Sequence, residues 1–256
     1  MSRFGFFFIL LFLIIFLSQA PVVNSQANNT LPYNLKRSTP FYNTVRSDNF
    51  DNNKDNILII LDSSYSMNDK INGERKIDIA KRVINQVLSQ TPGNVNIGLR
   101  VYGHKTGILG LNACRASELK VPVAPNTQNI IHNILMGIRP VGMTPISYSI
   151  QQAVDYDFNG LSGKKRIILV SDGMETCDGS PCDYVLGLVK RGIQLKVDAI
   201  GFDLSEPEAV SQLKCTSLAT KGKFYSARDA SELTDSLNKS LNVNKEVEGK
   251  ILNGRF

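Results

Sequence analysis

Tryptophan is absent from this 256-residue chain, histidine occurs twice and cysteine four times. These scarcities exclude whole classes of chemistry. His104 and His132 stand in no recognisable motif with a Ser or Cys nucleophile, so no acyl-transfer triad is on offer. Cys114, Cys177, Cys182 and Cys215 lack the paired C-x2–4-C spacing of structural zinc sites. Beyond residue 25 no apolar run approaches the roughly 20 residues of a membrane helix, which excludes a channel. No arginine-rich arm or aromatic–basic groove marks a nucleic-acid footprint. Internal repeats are missing too. The formal net charge is +6, dispersed along the chain, and only Arg3 of residues 1–25 contributes to it. Such a balance favours acidic partners or anionic surfaces.

One strongly apolar run is present, FGFFFILLFLIIFL at residues 4–17. It is short for a span and has the character of a secretory signal peptide. Cleavage after Ser25 (Val23 at −3) or after Ala27 (Ser25 at −3) satisfies the small-residue rule, whereas Pro21 disfavours cleavage after Ala20. The alternative is an uncleaved anchor extended by Pro21, Val22 and Val23. No cysteine follows the run closely, so lipoprotein processing is not expected. In an exported chain four cysteines imply two disulfides, with three possible pairings. Residues 26–55 are rich in Asn, Ser, Asp and Pro and read as a linker or arm. The regular pattern runs over 56–242, and 243–256 form a polar tail.

Within that region short apolar runs alternate with segments of helical period. Strands are expected at Ile57–Leu61, Asn96–Gly103, Glu118–Val123 (broken by Pro122), Arg166–Val170, Leu195–Phe202 and Lys223–Ser226. Helices are expected at Glu74–Gln90, around Ile130–Ile138, at Pro145–Asp155 with Thr144 as N-cap, and at Cys182–Arg191, Glu206–Ala219 and Ala230–Leu241. The alternation predicts a doubly wound α/β fold: a mostly parallel sheet with helices on both faces.

Against that frame five oxygen-bearing side chains form a set. Asp62, Ser64 and Ser66 stand in ILIILDSSYSM, Thr144 in PVGMTPI and Asp172 in RIILVSDG. Asp62 and Asp172 each follow a strand-type run, at the carboxyl ends where open α/β sheets collect ligands. Two carboxylates and three hydroxyls make a hard donor set suited to Mg²⁺ or Mn²⁺ rather than zinc.

Asp62-x-Ser64-x-Ser66, Thr144 and Asp172-Gly173 together resemble the metal-ion-dependent adhesion site of von Willebrand factor type A domains, over roughly residues 55–240. GLRVYGH, PVGMTPI and SDGMETCDGSPC look most like the secreted prokaryotic branch of that family. The resemblance implies a Rossmann-like sheet with one short antiparallel edge strand. It implies that Ser64 and Ser66 bind the ion directly and that Asp62 lies close to it. Thr144 and Asp172 would exchange direct and water-mediated contact. A cation left underneutralised by hydroxyl ligands seeks a carboxylate, supplied by a partner protein with an exposed Asp or Glu. The family's strand order implies Cys114–Cys177 with Cys182–Cys215, Cys177–Cys182 being the local alternative. Relatives often have Gly where Tyr65 stands here. A positive φ would strain Tyr65, and a negative φ would let it project toward the partner.

Other features are weighed as follows. Met67, Met143 and Met174 flank the three metal segments and are candidates for an apolar collar. His104 and Glu175 are further partner-contact candidates. Asp155-x-Asp157-x-Asn159-Gly160 mimics the start of an EF-hand loop, but its closing acid falls at Arg166, so a solvated helix-to-strand turn is expected. The leading functional reading is an exported, non-enzymatic module, located in the periplasm, at the cell surface or outside the cell. It would capture an acidic partner side chain through a divalent cation, with no nucleic acid and no small-molecule substrate. The alternatives are an envelope scaffold anchored in the membrane by an uncleaved N-terminal segment and, remotely, a metal-assisted hydrolase.

Overall fold

The computed structural model describes residues 55–106 and 112–241. The expected signal peptide at 1–25, the arm up to residue 54 and the tail at 243–256 lie outside the described residues. In chain order the elements are β1 (Asn56–Asp62), β2 (Lys70–Ile71), β3 (Glu74–Arg75), α1 (Lys76–Ser89), β4 (Asn96–Tyr102), β5 (Ser117–Ala124), α2 (Gln128–Gly137), α3 (Ile146–Gln152), β6 (Lys165–Ser171), α4 (Pro181–Lys190), β7 (Lys196–Phe202), α5 (Pro207–Ala219), β8 (Phe224–Ala227) and α6 (Ala230–Leu241).

Strands β1, β4, β6 and β7 are buried along nearly their whole length, as their apolar side chains demand, with Arg100, Arg166 and Asp198 as buried charged exceptions. They belong to a six-stranded sheet of order β5-β4-β1-β6-β7-β8, parallel except for β5, which runs antiparallel to β4 at the edge. The period-2 alternation of β1 divides the core. Ile57, Ile59 and Leu61 pack with Ala80, Val83, Leu135 and Leu233 of α1, α2 and α6. Leu58 and Ile60 pack with Ile146, Ile150, Val185 and Leu213 of α3, α4 and α5. Each fully buried Leu or Ile contributes roughly 1.5–3 kcal/mol, so both helical layers are held by the same strand. Chain order runs outward in opposite directions from β1 and β6, which puts the switch point, and hence the crevice, between their carboxyl ends.

The expected doubly wound sheet is therefore present, with local corrections. The antiparallel edge strand spans eight residues rather than a short segment; its pairing with β4 shifts register around Leu99, and Pro122 is accommodated on this edge. Two-residue strands β2 and β3 add a small antiparallel pair. Helix α3 stops at Gln152 and passes into a π-type turn at Ala153–Asp157, and its N-cap is Pro145 rather than Thr144. The turn after it is not solvated throughout. Asp157 accepts from Arg100 Nε at 2.6 Å and Nη2 at 2.7 Å, the two side chains being 2% and 4% exposed. A buried guanidinium inside β4 requires that carboxylate, and the requirement overrides the turn's polar composition.

The disulfides are Cys114–Cys177 and Cys182–Cys215, each with Cα atoms 5.5 Å apart. The first joins the segment before β5 to the loop after β6. The second joins the first turn of α4 to α5.

Asp157→Asn strands a buried Arg100 charge and should lower stability by about 3–5 kcal/mol, whereas Arg100→Met with Asp157→Leu should recover most of it. Urea midpoints of the three variants measure this; a loss below about 1 kcal/mol for Asp157→Asn would mean that the pair is solvated.

Candidate metal centre

The crevice is built from three loops. Residues 63–68 follow β1, residues 139–145 precede α3, and residues 172–180 follow β6. Glycines let the loops approach. Gly103, at φ +72°, carries no Cβ, and one added there would lie 2.5–2.7 Å from the backbone of Ser63 and Ser64. A Cβ on Gly142 would sit 2.5 Å from the Lys105 carbonyl. With both side chains absent, the Gly142 amide donates to Gly103 O at 2.7 Å and the Tyr65 amide donates to Gly142 O at 2.9 Å. The close approach that requires these two glycines exists only once the strands are side by side, so no local pattern marks it.

Four of the five predicted residues are joined by direct hydrogen bonds or one intervening side chain. Asp62 Oδ1 accepts from the Ser64 amide at 2.7 Å, and Asp62 Oδ2 accepts from Ser171 Oγ at 2.7 Å. Ser64 and Ser66 hydroxyls lie 3.0 Å apart, and Ser66 Oγ donates to Asp172 Oδ1 at 2.7 Å. Because Ser66 uses its proton on Asp172, Ser64 donates to Ser66, which leaves lone pairs on both hydroxyls available to a cation. Thr144 is held by its backbone: its N–H donates to Thr176 Oγ1 at 2.8 Å and its carbonyl accepts from Thr176 N at 3.2 Å. Thr176 thereby ties the second and third loops together.

Several residues that support the set carry no sequence signal of their own. Tyr102, fully buried in β4, donates to Ser171 Oγ at 2.9 Å, extending the hydrogen-bond chain to Asp62. Lys76, the first residue of α1, is 6% exposed; its ammonium lies 3.3 Å from Asp172 Oδ2 and 3.1 Å from Asp203 Oδ2. Asp62, Asp172 and Asp203 thus outnumber one ammonium. Burial raises Asp62, and burial followed by the Asp62 charge raises Asp172 to about 6, against the pull of Ser66 and Lys76. Among the described residues no group of three His, Cys, Asp or Glu converges, so any ion held here relies on hydroxyls as well as carboxylates.

The partner-contact candidates divide. Tyr65 is 71% exposed, Met143 40% and Met174 38%, and Val141, not anticipated, is 41% exposed. Tyr65 opens a 3-10 turn (Tyr65–Asn68) and is not among the residues with positive φ, so the departure from glycine brings no strain. Met67 is a correction: it is fully buried in the core, because that turn directs it inward. His104 is turned away as well. Its side chain is 7% exposed with Nε2 3.0 Å from Glu118 Oε2, and burial holds its pKa below the ordinary value despite that carboxylate. Glu175 is 8% exposed and accepts from the Ser147 amide at 2.7 Å and the Cys177 amide at 3.0 Å. It braces the start of α3 and offers no surface to a partner.

The von Willebrand factor type A domain model matches residues 57–175. The uncharacterized protein YwmD of Bacillus subtilis (strain 168) is 30% identical over 189 residues, spanning 72% of this chain and 84% of that protein. The chain belongs to the von Willebrand factor type A domain family. Solved structures with the same fold include pilus adhesin SpaC from Lactobacillus rhamnosus GG (16% identity, TM-score 0.59, 75% of this chain and 30% of that one). Another is proximal thread matrix protein 1 from the mussel byssus with a zinc-occupied metal-ion-dependent adhesion site (15% identity, TM-score 0.58, 75% of this chain and 46% of that one).

A carboxylate whose pKa is raised by folding takes up protons as the chain folds, so it opposes folding as pH rises from about 4 through about 6. In EDTA, the difference in unfolding free energy between wild type and Asp172→Asn should therefore shift against wild type by about 2–3 kcal/mol over that interval. Urea titrations at several pH values measure it; a constant difference would show that folding leaves the Asp172 pKa unshifted.

Proposed function

We propose that this protein is an exported, non-enzymatic binding module that captures an acidic side chain of a partner protein through a divalent cation, Mg²⁺ or Mn²⁺. The observation that carries the reading is the charge imbalance at the crevice: among the described residues Asp62 and Asp172, with Ser64 and Ser66 between them, face one ammonium, Lys76, which Asp203 shares. Spacing supports it. Octahedral ligands at about 2.0–2.1 Å lie about 3 Å apart along an edge, and the Ser64–Ser66 and Ser66–Asp172 oxygens are 3.0 and 2.7 Å apart. Ca²⁺, with longer ligand distances, would need wider edges. Ser64, Ser66, Asp62, Asp172 and Thr144 would hold the ion, and its residual charge would supply the attraction for a carboxylate.

The same negative field makes the reading specific. A partner carboxylate is repelled by Asp62, Asp172 and Asp203 unless a cation lies between, so capture is expected only with metal. Tyr65, Met143, Met174 and Val141 give that carboxylate an apolar rim, and a drier surround strengthens a charge contact. The mussel protein's zinc-occupied site and the SpaC adhesin are consistent with metal use and adhesion in neighbours of this fold. Glu175, the acid a hydrolase would need as base, is buried against backbone amides, which favours binding over catalysis. Two disulfides fit an oxidising compartment outside the cytoplasm.

The test is the melting temperature of the oxidised protein in EDTA and across Mg²⁺ and Mn²⁺ titrations, with Asp62→Ala and Asp172→Ala beside it. Metal at a hundredfold excess over Kd should stabilise wild type by about 2.7 kcal/mol, and both variants should lose the effect while remaining folded. Retained metal stabilisation in both variants would refute the site. Thr144→Ala should weaken capture of an acidic partner more than it weakens metal binding in the absence of partner; equal losses would exclude the exchange role of Thr144.

A further inference from the structure

Positive charge that is dispersed along the sequence is gathered in space. Parallel strands β6, β7 and β8 begin at the pole of the domain opposite the metal centre, and α4, α5 and α6, which return the chain between or after them, end there. Lys164, Lys190, Arg191, Lys221, Lys223 and Lys239 are exposed at these junctions. Among the described residues, acids at this pole are committed or few. Asp55 faces Arg166 at 3.4 Å, fully buried Asp198 faces Lys196 at 3.6 Å, and Asp155 is exposed. Burial first, then the Arg166 and Lys223 charges, holds the Lys196 ammonium below its ordinary pKa although Asp198 opposes them, as expected in a crowded positive field.

Apolar side chains stand among these cations. Val189 in the last turn of α4, Ile193 in the loop after it and Leu218 at the end of α5 are 46%, 37% and 57% exposed. Ile193 also lines an open cavity of about 400 Å³ with Val154, Phe158, Leu195 and Lys165. The chain enters β1 at Asn56 and leaves α6 at Leu241 at this same pole.

We propose that this basic, apolar-studded pole docks on an anionic lipid bilayer, with the cations on headgroups and Val189, Ile193 and Leu218 in the interface, so that the metal centre faces away from the membrane. A soluble polyanion would engage the cations alone. The exposed aliphatic side chains among the cations favour a surface that is anionic outside and apolar beneath. The inference is independent of whether the opposite pole holds a metal.

The experiment uses the full chain with vesicles containing about one-third phosphatidylglycerol or phosphatidylcholine alone, reading cosedimentation and amide hydrogen exchange. Anionic vesicles should bind the protein more tightly and slow exchange at residues 189–194 and 218–223. Each surface cation contributes roughly fivefold to binding, so Lys190→Gln, Lys221→Gln and Lys223→Gln together should weaken it on the order of a hundredfold, and Ile193→Ser should weaken it further. Equal binding of wild type and the triple variant to both vesicles, without slowed exchange at the pole, would overturn the proposal and assign attachment to residues 4–17 alone. Protection of the pole by soluble polyphosphate but not by vesicles would overturn it in favour of a polyanion partner.

Discussion

Two carboxylates buried side by side at neighbouring strand ends repel each other, and much of this pole of the domain is arranged around that repulsion. Asp62 is held by the Ser64 amide and the Ser171 hydroxyl, with Tyr102 behind it. Asp172 receives the Ser66 hydroxyl and part of the Lys76 charge. Desolvated like charges shift toward protonation unless counter-charge arrives, and the raised Asp172 pKa of about 6 reports that the protein supplies too little of its own. The parallel sheet imposes the arrangement, because β1 and β6 are adjacent, parallel and on either side of the switch point. The loops then close over it only because Gly103 and Gly142 leave room for backbone contact.

This gives the domain two chemically different ends. At one, a compact oxygen cluster with excess negative charge sits beneath an apolar rim of Tyr65, Val141, Met143 and Met174. At the other, cations from separate strand and helix ends surround exposed aliphatic side chains. Cys114–Cys177 braces the first end by tying the loop bearing Asp172 to the segment before β5, and Cys182–Cys215 ties α4 to α5. A rigid support of this kind suits a site whose donors must hold fixed separations, since small errors in ligand spacing are costly for a small hard cation.

Much of the fold was legible from local pattern. Charge-free apolar runs such as Ile57–Leu61 and Ile167–Val170 fall inside strands buried on both faces, and the helical spacing of Ala80, Val83, Ile84 and Val87 corresponds to a helix face in the core. The oxygen set was legible because its spacing is coupled to strand ends. The failures have a common origin. Met67 was grouped with Met143 and Met174 by adjacency to the motif, yet a 3-10 turn directs it into the core. His104 and Glu175 were placed on the partner surface for the same reason, but Glu118 and the amides of Ser147 and Cys177 draw them inward. Asp157 looked solvated in a polar turn until Arg100, 57 residues earlier, claimed it.

By itself the sequence determined the strand and helix alternation and marked the oxygen-bearing side chains at and after the ends of β1 and β6, since each is carried by short-range periodicity or by a motif attached to it. Tertiary structure alone decided that Asp172 and Asp203 share the Lys76 ammonium, that Tyr102 and Ser171 support Asp62, and that dispersed lysines form one basic pole. Those outcomes depend on which distant segments the parallel crossovers bring together. Electrostatic interaction and hydrogen bonding act through space at a few ångströms, whatever the separation along the chain.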